Sequence, residues 1–174
     1  NIVSGERSAA LLAAADHYRQ LTAIGHAALT VVALAVPLTV ITASMAGFAM
    51  ALLERRTRGA LLVLSVALLL VPVTALWLTR FLLFSWVGLT DTLLALMVPA
   101  LAGSSPLFVL IYFWAFRRVS AEVFEMAHLD GAGAFTTWRR VGLPAVMPAT
   151  VAVAVLTFIF YWSDFISPLL YLRD

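Results

Sequence analysis

The sequence predicts an all-α membrane protein, and three observations support that fold class. Of the 174 residues, 63% are hydrophobic and 11% are charged, whereas soluble domains are about 45–50% apolar and about 25% charged. The mean hydropathy is +1.02. The apolar residues form long continuous runs rather than the alternating pattern of a membrane β-barrel, which favours helices that cross a bilayer.

Four apolar segments are predicted to be transmembrane helices. A hydrocarbon core of about 30 Å needs about 20 helical residues, and each segment reaches that length. Pro37 predicts a bend or tilt in the first segment. The third segment contains Pro99, Gly103 and Pro106, so we expect it to be broken or kinked. The four predicted spans are residues 27–53, 60–79, 93–116 and 150–172.

Arginine placement predicts how these spans are oriented. Residues 54–58 carry three arginines and residues 117–140 carry four. Because cytoplasmic loops of membrane proteins are enriched in Arg and Lys, we expect both segments in the cytoplasm and both ends of the chain on the outer side. Arg80 is then assigned to the outer loop between the second and third spans.

The two ends of the chain carry further expectations. Residues 8–18 are alanine-rich and mildly amphipathic, which predicts a short helix at the outer face or the membrane interface, with a remnant of an earlier span as the alternative. The sequence begins at Asn1 rather than Met, and it stops at Asp174 just after an apolar run. We therefore expect a single transmembrane domain, 1–174, that is incomplete at both ends.

The most informative segment is the polar insert at 117–148, between the third and fourth spans. Residues 121–129 suit a helix, with acidic side chains in the early part, where the helix dipole favours negative charge. Gly131 permits a turn that a side chain would obstruct. A second short helix is predicted at about 134–141. The insert is therefore predicted to form two short helices around a glycine turn.

Residues on either side of this turn predict where the second helix begins and ends and where the next span begins. Asp130 is placed to cap the second helix, while Arg139 and Arg140 lie near its C-terminal end, where positive charge is favoured. Pro144 and Pro148 are placed to begin the next span, since proline is tolerated in the first turn of a helix.

The insert also predicts a docking surface. Residues 132–134 are small, and we expect Phe135 and Trp138 to flank them as exposed aromatic side chains that fit a groove on a soluble partner. One apolar stripe is predicted along Val119, Val123, Met126 and Leu129. The alternatives are a loop that merely joins two spans, its aromatic residues resting in the lipid interface, and a DNA-binding helix-turn-helix. The latter is disfavoured because few arginines share any helix face, so no nucleic acid partner is expected.

The spacing within the insert resembles the EAA loop of ABC importer permeases. That pattern reads EAA, three residues, Gly, nine residues and I-x-L-P, and it is matched in register at Glu125, Ala127, Gly131, Val141, Leu143 and Pro144. Met126 departs from the central Ala, and Val141 replaces the usual Ile. Both departures keep a compact apolar residue in a helix.

Two other stretches resemble permeases of the carbohydrate-uptake group. Residues 162–165, Trp-Ser-Asp-Phe, are similar to a W-N-D-F stretch that follows the EAA loop, with Ser163 in place of Asn. Residues 17–21 are similar to the segment that follows an initial transmembrane helix. The resemblance therefore covers about 15–174, nearly the whole chain.

This resemblance implies a type I ABC importer transmembrane fold, with further spans before and after this sequence. It implies a multi-pass protein of the cell (inner) membrane bilayer. It also implies three partners: a cytoplasmic ABC ATPase dimer, a second permease subunit and an extracytoplasmic substrate-binding protein. The insert would supply coupling helices seated in the ATPase. The implied coupling residues are Glu125, Ala127, Asp130, Gly131, Ala132, Phe135, Leu143 and Pro144.

The sequence predicts no chemistry on this chain itself. It contains no Walker A, H-E-x-x-H or G-x-S-x-G pattern. By the resemblance, ATP and Mg bind the partner ATPase, and this chain binds no cofactor. His128 and Asp130 supply only two candidate metal ligands, so no metal site is expected. An intramembrane enzyme is a remote alternative, disfavoured because Asp164 is essentially the only ionisable residue within the predicted spans.

Trp162 and Asp164 are candidate residues of a solute pathway. A charged group within a membrane span usually faces the bundle interior or a cavity, which is the argument for Asp164. The sparse charge of the spans favours a neutral solute such as a sugar. A polyamine, a phosphate ester or an amino acid remains the alternative cargo, because a partner permease can supply charge.

Overall fold

The computed structural model describes residues 2–90, 92–101, 105–164 and 167, and these residues contain helices and no strand. The all-α prediction is therefore confirmed. The elements in chain order are α1 (Ile2–Leu52), α2 (Arg55–Leu69), α3 (Val73–Val87), α4 (Leu93–Leu101), α5 (Pro106–Arg118), α6 (Ala121–Leu129), α7 (Ala134–Thr137), a π-helix (Trp138–Gly142), α8 (Leu143–Ala145) and α9 (Met147–Trp162).

Helix α1 is continuous over 51 residues and contains Pro37. Its segment Ala28–Leu52 is long and apolar enough to cross a bilayer. The separate short helix expected at 8–18 is wrong, because those residues belong to the same helix. Alanine, the best helix former, is frequent there, and no Pro or Gly interrupts the chain between 8 and 18.

The second predicted span, 60–79, differs from the structure because it is not one helix. Helix α2 ends at Leu69, α3 begins at Val73, and the two are bent by 96°. Pro72 explains the break, since proline lacks a backbone N–H and disfavours helical geometry in the residue before it. Arg80 consequently lies inside α3 rather than in a loop.

The third predicted span, 93–116, is divided as expected. Helix α4 ends at Leu101 and α5 begins at Pro106, whose missing N–H is harmless in a first helical turn. The residues between 101 and 105 lie outside the described part of the chain.

The fourth predicted span, 150–172, corresponds to α9, which starts three residues earlier, at Met147, with Pro148 in its first turn. It meets the preceding helical segment at an 86° bend. Of the predicted residues beyond Asp164, only Ser167 is described. By length and composition, the described residues offer one membrane-crossing helix, or up to three if each bent pair is one span, against the four predicted.

Helix α1 packs against α4, α5 and α9, so it forms the centre of the bundle. Helices α1 and α5 approach closely at Gly47, where a Cβ atom would lie 2.6 Å from Tyr112 Cβ in α5. Many large apolar side chains elsewhere are exposed, among them Val63, Leu78, Trp86 and Ile159. Such a surface is a liability in water but is the expected one for helices that face lipid.

Candidate functional site

The turn between α6 and α7 is a helix cap of the Schellman type. Gly131 has a positive φ of 77°. The Gly131 N–H donates to the His128 carbonyl at 3.0 Å, and the Ala132 N–H donates to the Ala127 carbonyl at 3.0 Å. These two bonds satisfy carbonyls that the end of α6 would otherwise leave unpaired. Three of the predicted coupling residues, Ala127, Gly131 and Ala132, thus belong to one capping structure.

Gly131 is required by backbone conformation rather than by space within this chain. A Cβ atom there would meet no described atom within 4 Å, but the left-handed region disfavours residues with a side chain. Asp130 ends α6 and does not cap the second helix, so that prediction was wrong. The N-cap of α7 is Gly133, with no side-chain capping bond. The Schellman turn puts two residues between Asp130 and that cap.

Trp138 fastens the insert to the long helix α1. Its side chain is 6% exposed, and its Nε1–H donates to the Ser44 Oγ at 3.3 Å, across 94 residues of sequence. The Ser44 hydroxyl in turn donates to the Ile41 carbonyl at 3.0 Å. The prediction that Trp138 is an exposed flank was therefore wrong, because a tertiary contact buries it. Phe135 is 59% exposed, as expected.

An aromatic cluster supports the base of the insert. Phe48 of α1 contacts Phe116 of α5 and Phe124 of α6 edge-on, with ring centroids 5.2 and 5.7 Å apart. Gly142 is buried beside them, and a Cβ there would lie 3.1 Å from Phe116 Cε1. Leu143 packs partly buried against the same cluster. The insert is thus joined to α1 and α5 by packing as well as by the Trp138 hydrogen bond.

The outer surface of the insert combines apolar and charged side chains. Met126, Leu129 and Phe135 are 60%, 85% and 59% exposed. The predicted stripe is incomplete, because Val119 lies outside α6, at the end of α5, and Val123 is partly buried. Of the other coupling candidates, Glu125, Asp130 and Pro144 are exposed, whereas Ala127 is buried at 8% exposure.

A cavity of about 400 Å³ lies at the far end of α9 from the insert. Its polar lining includes Thr39, Arg80 and Asp164, and its aromatic lining includes Trp77 and Tyr161. One carboxylate oxygen of Asp164, Oδ1, accepts a hydrogen bond from the backbone N–H of Ser167 at 3.0 Å. The cavity brings together charged, hydroxyl and aromatic groups from four helices, α1, α3, α5 and α9, and from the chain after α9.

The two predicted pathway residues differ in their placement. Asp164 lines the cavity, whereas Trp162 does not; the latter is 56% exposed and stacks on Phe158 at a centroid distance of 5.7 Å. Sequence reasoning missed Arg80, which was assigned to a loop. The available signal was its position within an apolar stretch that continues beyond it as far as Val87, the last residue of α3.

Within the described ranges, no group of three His, Cys, Asp or Glu side chains is placed to hold a metal ion.

Comparison with known proteins gives consistent matches. The family described as "Binding-protein-dependent transport system inner membrane component" matches residues 43–174. The osmoprotective compounds uptake permease protein GgtD of Synechocystis is 30% identical over 152 residues, which are 86% of this chain and 51% of that protein. The lactose transport system permease protein LacG of Rhizobium radiobacter is 26% identical over 138 residues, 79% of this chain and 50% of that protein.

A third relative is the trehalose transport system permease protein SugB of Mycobacterium tuberculosis, 29% identical over 132 residues, 76% of this chain and 48% of that protein. The chain spans about half the length of the curated relatives it matches. These matches confirm the resemblance to ABC importer permeases of the carbohydrate-uptake group, which are not themselves catalytic. The chain belongs to the family of binding-protein-dependent transport system inner membrane components.

Proposed function

We propose that this chain is part of the permease subunit of an ATP-driven importer and forms part of the translocation pathway for a sugar or sugar-like solute. An external binding protein delivers the solute, a second permease subunit completes the pathway, and an ABC ATPase dimer binds ATP and Mg in the cytoplasm. The observation that carries this proposal is the capped insert, which exposes apolar side chains at its tip while its base is fastened to α1.

The tip of the insert has the character of a protein-docking surface. Leu129, the last residue of α6, is 85% exposed although it belongs to the insert and not to one of the predicted spans. Burying such a side chain against a partner contributes about 1.5–3 kcal/mol. Glu125 and Asp130 are exposed beside it. Acidic groups at this position disfavour the lipid interface, whose anionic headgroups attract basic faces, and favour a protein groove.

The base of the insert is built to transmit movement. The Schellman cap fixes α6 relative to α7, and the Trp138–Ser44 hydrogen bond with the Phe48 contacts joins both to α1. A displacement of the tip by the ATPase therefore moves α1 with it instead of bending the loop. This is the kind of rigid-body coupling that switches a helix bundle between two arrangements.

Different coupling candidates take different parts in this scheme. Glu125, Asp130 and Phe135 are exposed and would contact the ATPase. The roles of Ala127, Gly131, Ala132, Leu143 and Pro144 are to shape and hold the loop.

The proposed cargo is supported by the names of the relatives. LacG and SugB are named for transport of lactose and trehalose, both of which are uncharged sugars. By analogy we assign this chain a neutral sugar or sugar-like solute.

The ATPase contact is tested by Leu129→Glu in the full-length permease, co-expressed with its ATPase. The substitution places a charge on an 85% exposed side chain, so the fold should survive. We expect the ATPase to be lost on affinity purification of the permease. The matched control is Thr57→Glu, which adds the same charge to the other arginine-rich segment, at an exposed position in the first turn of α2. Equal ATPase recovery with both variants would contradict the proposal.

A further inference from the structure

We propose that the cavity lined by helices α1 to α5 and the end of α9 binds the transported solute directly and selects neutral, polyhydroxylated compounds. This inference rests on the proposed transport function and adds a site and a basis for selectivity. Its key residues are Thr39, Trp77, Arg80, Tyr161 and Asp164, all of which line the cavity.

The first argument is the charge of the lining. Arg80 and Asp164 contribute one positive and one negative group to the same cavity. Asp164 uses Oδ1 for the Ser167 N–H, and Arg80 forms no hydrogen bond or ion pair with another residue that the structure describes. Hydroxyl groups can donate to the carboxylate and accept from the guanidinium at once. Because the two charges offset each other, the lining gives no net attraction to an anion or a cation, and a solute whose hydroxyl groups bond to both side chains matches it.

The second argument is a buried hydroxyl at the cavity wall with unused hydrogen-bonding capacity. Thr39 is 5% exposed, and its Oγ1 meets hydrogen-bond geometry with no described residue, although the Tyr161 hydroxyl is near enough to interact with it. Buried polar atoms are nearly always satisfied, and leaving one unpaired is unfavourable. A solute hydroxyl in the cavity would complete the hydrogen bonding of Thr39, which lines the cavity, whereas the buried Thr157 hydroxyl does not.

The third argument is shape. Trp77 and Tyr161 add aromatic groups to the lining, and an aromatic ring offers a flat apolar surface to the C–H face of a sugar. The volume of about 400 Å³ lies within the range of roughly 300–1,000 Å³ of small-molecule sites. Apolar faces beside a few polar groups are the usual composition of such a site.

The position of the cavity suits a transported solute. It adjoins the C-terminal end of α9, at residues 160–164, whereas the insert joins the N-terminal end at Met147. The 16 residues of α9 place the two about 24 Å apart at about 1.5 Å per residue. The solute and the ATPase would therefore act on opposite ends of one helix, without competing for the same surface.

The test uses the full-length transporter reconstituted in vesicles with its binding protein, and it measures uptake of trehalose, lactose and glycerol-3-phosphate. Thr39→Val replaces the hydroxyl by a methyl group, and we expect it to lower uptake of the neutral sugars about twofold to tenfold, the range for one lost hydrogen bond. Thr157→Val is the matched control. Thr157 is also buried and its hydroxyl is also unpaired in the described structure, but it does not line the cavity.

The charge pair is tested by Arg80→Gln and Asp164→Asn, with Arg56→Gln, at an exposed position outside the cavity, as control. We expect each cavity variant to lose at least about tenfold in sugar uptake, since hydrogen bonds to charged groups are the stronger ones. Co-purification of the ATPase, measured in parallel, reports assembly. If a charge variant fails to assemble with the ATPase, the comparison uses Thr39→Val instead, because valine has nearly the same shape as threonine.

A second readout detects binding without transport. Ser163 lines the cavity, and the given sequence contains no cysteine. Ser163→Cys, made in a full-length permease from which any other cysteine has been removed, can therefore be labelled with a maleimide. We expect trehalose or lactose to slow the labelling of this cysteine. The control is Thr136→Cys, at an exposed position on the insert, and its labelling should not change when either sugar is added.

The outcomes separate this inference from the proposed function. Loss of sugar uptake and of protection in the cavity variants supports the site. If the wild type assembles with its ATPase and takes up sugar, but the cavity variants match their controls, the site is wrong and the proposed function stands. Preference for glycerol-3-phosphate over both sugars overturns the selectivity. A wild type that neither binds the ATPase nor takes up any of the three solutes overturns the proposed function itself.

Discussion

Replacement of Gly47 by alanine is the most direct test of how the bundle is packed. The added Cβ would lie 2.6 Å from Tyr112 Cβ, 2.9 Å from the Phe113 nitrogen and 2.9 Å from the Val109 oxygen. Two of these three neighbours are backbone atoms of α5, which cannot rotate away as the end of a flexible side chain would. Relief therefore requires α1 and α5 to separate.

The distances set the size of the effect. Carbon atoms in contact prefer about 3.5–4.0 Å, so α5 must retreat by about 1 Å at this point. Overpacking of this kind typically destabilises by about 1–3 kcal/mol. Because the clash is with backbone, we expect the upper part of that range. The matched relatives are longer than this chain, and for a protein of that length each kcal/mol lowers Tm by about 2 °C, so we expect a decrease of about 4–6 °C.

The assay is thermal unfolding of the full-length permease in detergent, followed by circular dichroism. Gly59→Ala is the matched control, because a Cβ at Gly59 in α2 would meet nothing within 4 Å. Alanine is the better helix former by about 1 kcal/mol, so this control should keep or raise Tm. An unchanged Tm in Gly47→Ala would refute the close packing of α1 on α5.

Three further substitutions test the insert and the buried hydroxyls. Ser44→Ala leaves the buried Trp138 N–H unpaired and should destabilise by about 1–3 kcal/mol, measured as a lower Tm, while an unaffected Tm would argue against this hydrogen bond. Gly131→Ala puts a side chain at φ 77° and should destabilise by about 1–2 kcal/mol in the same assay, more than Gly133→Ala at φ −69°; the reverse order would contradict the Schellman turn. Thr157→Val removes a buried hydroxyl without a partner in the described chain and should leave Tm unchanged or raise it, and a clear decrease would reveal a partner.

The insert was predicted well where local rules act. The glycine turn and the helix at 121–129 follow from spacing and from the conformational freedom of Gly131, and the structure has both. Trp138 was predicted to be exposed and is buried, because its partner Ser44 lies 94 residues away. A helical pattern shows which residues share a face, but it does not show which side another helix covers.

The breaks in the spans show a similar limit. Pro106 was read correctly as a point of interruption, and α5 begins there. Pro72 was equally visible but was included in an apolar run, so Arg80 was placed in a loop instead of in α3. Hydropathy averaged over a window responds to composition, whereas a helix break depends on the single residue that lacks an N–H.

The sequence by itself determined the all-α membrane class, the position of the insert and its glycine turn, because these depend on composition and on local backbone preferences. The resemblance of the insert to the EAA loop came from the sequence too, and the family match confirmed it. Only the tertiary structure decided that Trp138 joins the insert to α1 and that Arg80, Thr39 and Asp164 meet in one cavity. These contacts join residues far apart in sequence, and the packing of helices on one another, which brings them together, leaves no local pattern.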